Sequence, residues 1–238
     1  MRTLAISDIH GCFDEFNALL KHVKYNPAED KLIILGDLVD RGQRSKQVVE
    51  QLMNMVSEWN VVVLRGNHDQ MMIDALNADE DVNWLNNGGY QTVESYVGLD
   101  FFEEIFEWDL YEQAKNFIRR HFKHHIDFLS SLPYYYETDT HIFVHAGINP
   151  YKEHWKQTSD EDFVWIRERF YNVATGLNKI VVFGHTPTVH LHETEDIWFS
   201  PNGDKIGIDG ACAYGMQLNC LEINDAGYKT HYATKGSR

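Results

Sequence analysis

Apolar residues fall along this chain in short unbroken runs rather than in strict alternation with polar ones. Arg2–Ser7, Lys31–Leu35 and Asn60–Leu64 read as strands, and unalternating runs suit strands buried on both faces of a mainly parallel sheet. Between them, Asp14 reads as the cap of a helix running to about Lys24, and a second helical pattern spans Ser45 to Ser57. This strand–helix alternation predicts α/β layering. From Asn83 to Leu129 the texture changes. Asn86–Gly89 reads as a turn, and a polar and aromatic stretch with no period of two follows, which predicts a helical insertion over about residues 83–132. Beyond Pro133, strands are expected at Tyr134–Glu137, Ile142–Val144, Ile180–Phe183, Lys205–Ile208, Met216–Ile223 and Tyr228–Tyr232. Short turns such as Asp139–Thr140 and Asp225–Gly227 predict antiparallel pairs among them. No repeat or low-complexity linker interrupts the pattern, so residues 1–238 read as a single domain.

Composition narrows the function classes. With 43% hydrophobic and 24% charged residues in 238, the chain is neither disordered nor fibrous. The formal net charge of −15 repels nucleic-acid polymers and anionic lipid headgroups alike. Any phosphate chemistry therefore needs a local reversal of charge, for which metal ions are the obvious source. Cys12, Cys212 and Cys220 form an odd set without CxxC spacing, which fits a reducing compartment. The N-terminal residues leave no room for a signal-peptide core, and the longest apolar runs are strand-sized. A soluble, cytoplasmic protein is expected. Nothing in the pattern sets an oligomeric state.

Five short motifs stand where strands end: Asp8-Ile9-His10-Gly11, Gly36-Asp37-Leu38-Val39-Asp40-Arg41-Gly42, Gly66-Asn67-His68-Asp69, His145-Ala146-Gly147 and Gly184-His185-Thr186. Each sets a ligand-type side chain beside a glycine, which lets the chain turn sharply and lets backbone approach an ion or a phosphate. Loops at the C-terminal ends of parallel strands are where α/β sheets place their ligands.

In this order and spacing, the motifs resemble those of the calcineurin-like metallophosphoesterases, specifically the short bacterial and phage serine/threonine protein phosphatases of the phosphoprotein-phosphatase branch. The resemblance spans nearly the whole chain, from Asp8 to Ile208–Ala211. It implies a β-sandwich of mixed sheets flanked by helices, with two divalent metals at its rim. It further implies that Asp8 and His10 hold the first metal, that Asp37 bridges both, and that Asn67, His145 and His185 complete the second. Two carboxylates, three imidazoles and one amide oxygen form a mixed donor set, suited to Mn²⁺ first, with Fe or Zn²⁺ as alternatives, and poorly matched to Ca²⁺. Paired ions in such sites share a hydroxide that attacks phosphorus in line. The resemblance also makes His68 a general acid oriented by Asp40.

Arg41 supplies a guanidinium fork for phosphate oxygens. Arg167, in a Trp-x-Arg segment similar to one in the family's short forms, is expected to meet the substrate phosphate. A metal-dependent phosphomonoesterase acting on phosphorylated protein is the leading reading. Symmetrical hydrolysis of diadenosine tetraphosphate on the same scaffold is the alternative, and an inactive scaffold binding phosphorylated partners is a remote third. Asp40 leans modestly to the first, because one group of the nucleotide hydrolases has alanine there while another bacterial group retains aspartate. Asp69, where glutamate is common, and the absence of proline after Gly42 blur the subfamily. Specificity is expected to reside in the 83–132 insertion and the 149–161 loop. His121, His124 and His125 read as a solvated helix face, His190 and His192 as one face of a strand, and the aromatics of Phe101–Trp108 and Tyr134–Tyr136 as packing.

Overall fold

In the computed structural model, residues 2–98 and 107–236 are described. The first sheet has the order β10-β9-β1-β2-β3. Its strands β1 (Thr3–Ile6), β2 (Lys31–Ile34) and β3 (Val61–Val63) run parallel, and β9 (Gln217–Asn224) and β10 (Gly227–Thr234) complete it antiparallel. The second has the order β4-β5-β6-β8-β7. There β5 (His141–Val144), β6 (Ile180–Phe183) and β8 (Lys205–Gly207) are parallel, and β4 (Tyr135–Glu137) and β7 (Trp198–Phe199) pair antiparallel at the edges.

The two sheets pack face to face, and strand alternation explains the unbroken apolar runs. Ala5, Ile33 and Leu221 point inward against Phe143, Val182 and Ile206 of the opposite sheet. Their neighbours Leu4, Ile6, Leu32 and Ile34 point outward into a helical layer. Ile142, Val144, Val181 and Phe183 do the same on the far side. Both faces of each central strand are therefore dry, at roughly 1.5–3 kcal/mol for each large aliphatic side chain buried.

The helical layer on the first sheet comprises α1 (Phe13–His22), α2 (Ser45–Glu58), α3 (Asn67–Ala78), α4 (Asp81–Trp84), α5 (Tyr90–Val97), α6 (Trp108–His121) and α7 (Lys123–Ser131). On the second sheet lie the short α8 (Asp160–Trp165) and α9 (Glu168–Tyr171). The insertion expected over 83–132 is helical and packs α5 on α2 and α7 on α3. Its aromatics Phe101, Phe102 and Phe106 lie outside the described residues.

Several local expectations change. Cys12, not Asp14, is the N-cap of α1, and Asp14 in the first turn is exposed and pairs with Arg44 at 2.5 Å. Asn86–Gly89, expected as a turn, is one: the chain kinks there between α4 and α5, with Gly88 at φ +100°. His125 is buried with its Nδ1 3.0 Å from Tyr96 Oη, so only His121 and His124 of that trio face solvent. His190 ends a 3₁₀ turn rather than lying on a strand. The two-residue β7 had no legible pattern.

Candidate metal centre and catalytic cleft

The C-terminal ends of β1, β2, β3, β5 and β6 open on one side of the sandwich, and the loops that follow meet there. Loop 7–12 is sewn to loop 35–44 by His10 N→Asp37 O at 2.9 Å and Gly11 N→Leu38 O at 3.0 Å. Nine non-glycine residues among those described have positive φ, and six belong to these motifs: Asp8, His10, Asp37, Asp40, Arg41 and His185. Left-handed backbone costs a non-glycine residue on the order of 1–2 kcal/mol. Its concentration here marks loops bent to aim side chains at a common point.

The aim is a cleft of about 470 Å³ lined by Asp8, His10, Asp37, Asn67, His68 and His185, with Arg41 and Arg167 on its wall. His145 lies beneath, fully buried. Ligand atoms of His10, Asp37 and His68 lie within 4.8 Å of one another, as do those of Asp37, His145 and His185. Asp37 belongs to both groups. Its Oδ2 is 3.4 Å from His10 Nε2 and its Oδ1 is 3.5 Å from His145 Nε2, so its two oxygens face different imidazoles.

Whether these residues fit metal ions is decided by their lone pairs. His10 Nδ1 faces Val39 O at 2.7 Å and His145 Nδ1 faces Leu35 O at 2.8 Å. A carbonyl only accepts, so each Nδ1 carries the proton and each Nε2 presents a lone pair. The His145 lone pair converges with Asn67 Oδ1 at 3.0 Å, as two ligands of one ion do. The His185 Nε2 is buried without a hydrogen-bond partner. Asp8 is fixed by the His185 backbone N–H, at 3.2 and 3.0 Å from its two oxygens. The His145 Nε2–Asn67 Oδ1 pair and His185 Nε2 are buried acceptors that no donor satisfies, which is costly, and divalent cations remove that cost. The donor set fits two ions of the Mn²⁺, Fe or Zn²⁺ kind.

Burial drives the site toward neutrality. It pushes the Asp37 carboxyl well above the usual range, reinforced by Asp8 and Asp69, and pushes His10 and His185 well below theirs. His68 Nδ1 stands 2.7 Å from Asp40 Oδ2. Burial lifts Asp40 to about 7, opposed by hydrogen bonds from Thr92 and Trp84. It lowers His68 to about 2, aided by Arg41, His145 and Arg167. Burial thus drives both partners toward their neutral forms. The Arg41 guanidinium donates to His10 Nε2 at 2.6 Å and lies over the Tyr214 ring at 5.0 Å.

The residues expected from the motifs thus line this cleft, except Asp40 and His145, which are buried behind it against His68 and Asn67. Asp209 was missed: it lines the cleft, and its carboxyl is pushed well up by burial and by Asp8. The signal was available, since Asp209-Gly210 follows an apolar strand just as Gly36-Asp37 does. Asp69 also does more than vary a motif. Its carboxylate accepts from the backbone N–H groups of Gly66, Asp37 and Leu38 at 2.9, 3.0 and 3.0 Å, tying two loops together. The 149–161 loop contributes nothing to the cleft lining, and the insertion contributes only Asn87. The 149–161 residues border a separate hollow.

Strand-end loops of this chemistry on a two-sheet scaffold define a metal-dependent phosphatase. The profile of the calcineurin-like phosphoesterases matches residues 1–223, and the chain belongs to that family. Serine/threonine-protein phosphatase 1 of Salmonella typhimurium is 28% identical over 92% of this chain and 90% of its own length. A symmetrical bis(5'-nucleosyl)-tetraphosphatase of Actinobacillus pleuropneumoniae is 38% identical, but over only 37% of this chain and 38% of that enzyme. Among solved structures, one provisionally assigned as a diadenosine tetraphosphatase superposes with a TM-score of 0.66 at 19% identity, covering 99% of this chain and 95% of the other. A protein serine/threonine phosphatase of Saccharomyces cerevisiae gives 0.62 at 14% identity, covering 100% and 81%. These two establish the fold. No helix among the described residues is long and apolar enough to cross a membrane.

Proposed function

We infer that the protein hydrolyses phosphomonoesters and that its physiological substrates are serine/threonine phosphoproteins. The observation that carries the reading is Asp37 set between two imidazole groups, with Arg41 and Arg167 on the wall of the same cleft. In this reading Asp8, His10 and Asp37 hold one divalent ion, and Asp37, Asn67, His145 and His185 hold the other, with Mn²⁺ as the working assignment. Such a pair, when bound, supplies Lewis-acid activation of phosphate and of water. The chain's own residues do the rest. Arg41 and Arg167 grip phosphate oxygens and hold the ester in line. His68, adjacent to Asn67 and bonded through Nδ1 to Asp40, delivers its proton from Nε2 to the departing oxygen. The local positive charge of ions and arginines offsets the chain's formal net charge of −15 at the cleft.

The phosphoprotein assignment is supported by the extent of the likeness to the Salmonella phosphatase, which runs over nine-tenths of both chains. Diadenosine tetraphosphate hydrolysis is the second reading, favoured by the higher identity in the shorter shared stretch. Hydrolysis of p-nitrophenyl phosphate with added Mn²⁺ tests the activity. Parallel kinetics on a phosphoserine peptide and on diadenosine tetraphosphate then rank the two readings, since the ratio of kcat/KM values is the preference itself. A higher value for the peptide supports the proposal, and a higher value for the dinucleotide reverses it.

A further inference from the structure

Asp40 is gripped from the side opposite His68. Its Oδ1 accepts from Trp84 Nε1 at 2.8 Å and from Thr92 Oγ1 at 2.7 Å, leaving Oδ2 for Nδ1 of His68. Thr92 grips it twice, because Oγ1 also accepts from the Asp40 backbone N–H at 2.8 Å, at a residue whose φ is +74°. All four side chains are buried. The two donors come from the helical insertion and not from the strand-end loops: Trp84 closes α4 and Thr92 lies in the first turn of α5. Gly89 packs under the indole so closely that a Cβ there would lie 2.6 Å from Trp84 Cδ2, which fixes the ring. The same segment binds the neighbouring loop residue through Arg41 N→Gly88 O at 3.1 Å.

A carboxylate bonded at one oxygen can swing. Bonded at both, it has one orientation. We propose that Trp84 and Thr92 are positioning residues for proton transfer: by holding Oδ1, they aim Oδ2 of Asp40 at Nδ1 of His68 and so present Nε2 of His68 to the leaving group. The insertion thereby serves the reaction itself, although it contributes little to the cleft wall. The proposal rests on His68 being the proton donor, and its test separates the two claims.

The test uses the metal-loaded full-length chain and two simple esters. Phenyl phosphate releases a weakly acidic phenol that needs a proton; p-nitrophenyl phosphate releases a far more acidic one that does not. Trp84→Phe and Thr92→Val should each lower kcat for phenyl phosphate about tenfold. KM and metal content should hold, and kcat for p-nitrophenyl phosphate should change by less than about twofold. Thr92→Ser, which keeps the hydroxyl, should restore the rate. In a His68→Asn background neither substitution should reduce kcat further. Equal losses on both esters, or a further loss in that background, would overturn the proposal, because packing defects act regardless of the leaving group. If His68→Asn alone leaves kcat unchanged, the proton-donor reading fails first and this proposal falls with it. Should Trp84→Phe fail to fold, the nearly isosteric Thr92→Val carries the test.

Discussion

Nδ1 of His68 lies 2.7 Å from Oδ2 of Asp40, with 3% and 0% of the two side chains exposed. The bond fixes the imidazole through Nδ1, so that Nε2 is held toward the cleft, where a departing oxygen can take its proton. His68→Asn should keep both metals and lower kcat for a phosphoserine peptide by roughly 10²–10⁴, the usual worth of general acid catalysis. Steady-state kinetics with metal analysis of the same sample checks this, and an unchanged kcat removes His68 from the chemistry.

Asp37 is the residue on which both imidazole groups depend. Loss of a residue that merely orients a ligand weakens metal binding about 10–100-fold, so Asp37→Asn, which removes charge from the shared position, should do at least that. The expected result is metal content well below that of the parent after dialysis, with a folded far-ultraviolet spectrum. Full retention of both ions would show that Asp37 is not shared.

Gly66, the N-cap of α3, lets the loop after β3 pass close to the Asp37 loop. A Cβ there would overlap both the carboxylate and the backbone nitrogen of Asp37. Overpacking of this kind costs about 1–3 kcal/mol. For a chain of this size that corresponds to roughly 2–12 °C in Tm. Gly66→Ala should therefore lower Tm in a thermal scan and weaken metal retention together, because the displaced atoms are those of a proposed ligand.

His125 gives the fold an acid sensitivity remote from the cleft. Burial, with His124 and Lys46 nearby, lowers it from 6.5 to about 4. Between those values the unfolded chain binds a proton that the folded chain refuses. Its contribution to stability is therefore full above pH 6.5 and is lost as pH falls toward 4. Relative to the parent, His125→Gln should show a flatter fall of Tm between pH 6.5 and 4. Equal slopes would place His125 in contact with solvent.

The strand-end motifs were readable because each couples an apolar run, whose burial on two faces removes alternation, to a glycine and a donor. That grammar picked out nine of the ten candidates, all but Arg167, and most strands. It failed where the determining contact is long-range. Nothing near Trp84 or Thr92 in the chain reveals that their hydrogen bonds end on Asp40, more than forty positions earlier. His125 looked solvated because its helix is polar overall, and only the packing of α7 beside Tyr96 turns it inward. β7, two residues long, owes its existence to pairing with β8 and carries no periodicity. Asp209 obeys the same grammar, following the apolar run that ends at Ile208.

The proposed activity depends on cations sitting where the carboxylates and imidazoles converge. Elemental analysis of fully active protein, joined to anomalous diffraction from its crystals, measures this directly. Two transition-metal ions per chain, with Asp37 touching both, is the predicted result. Undiminished turnover from protein with neither ion in the cleft would contradict it.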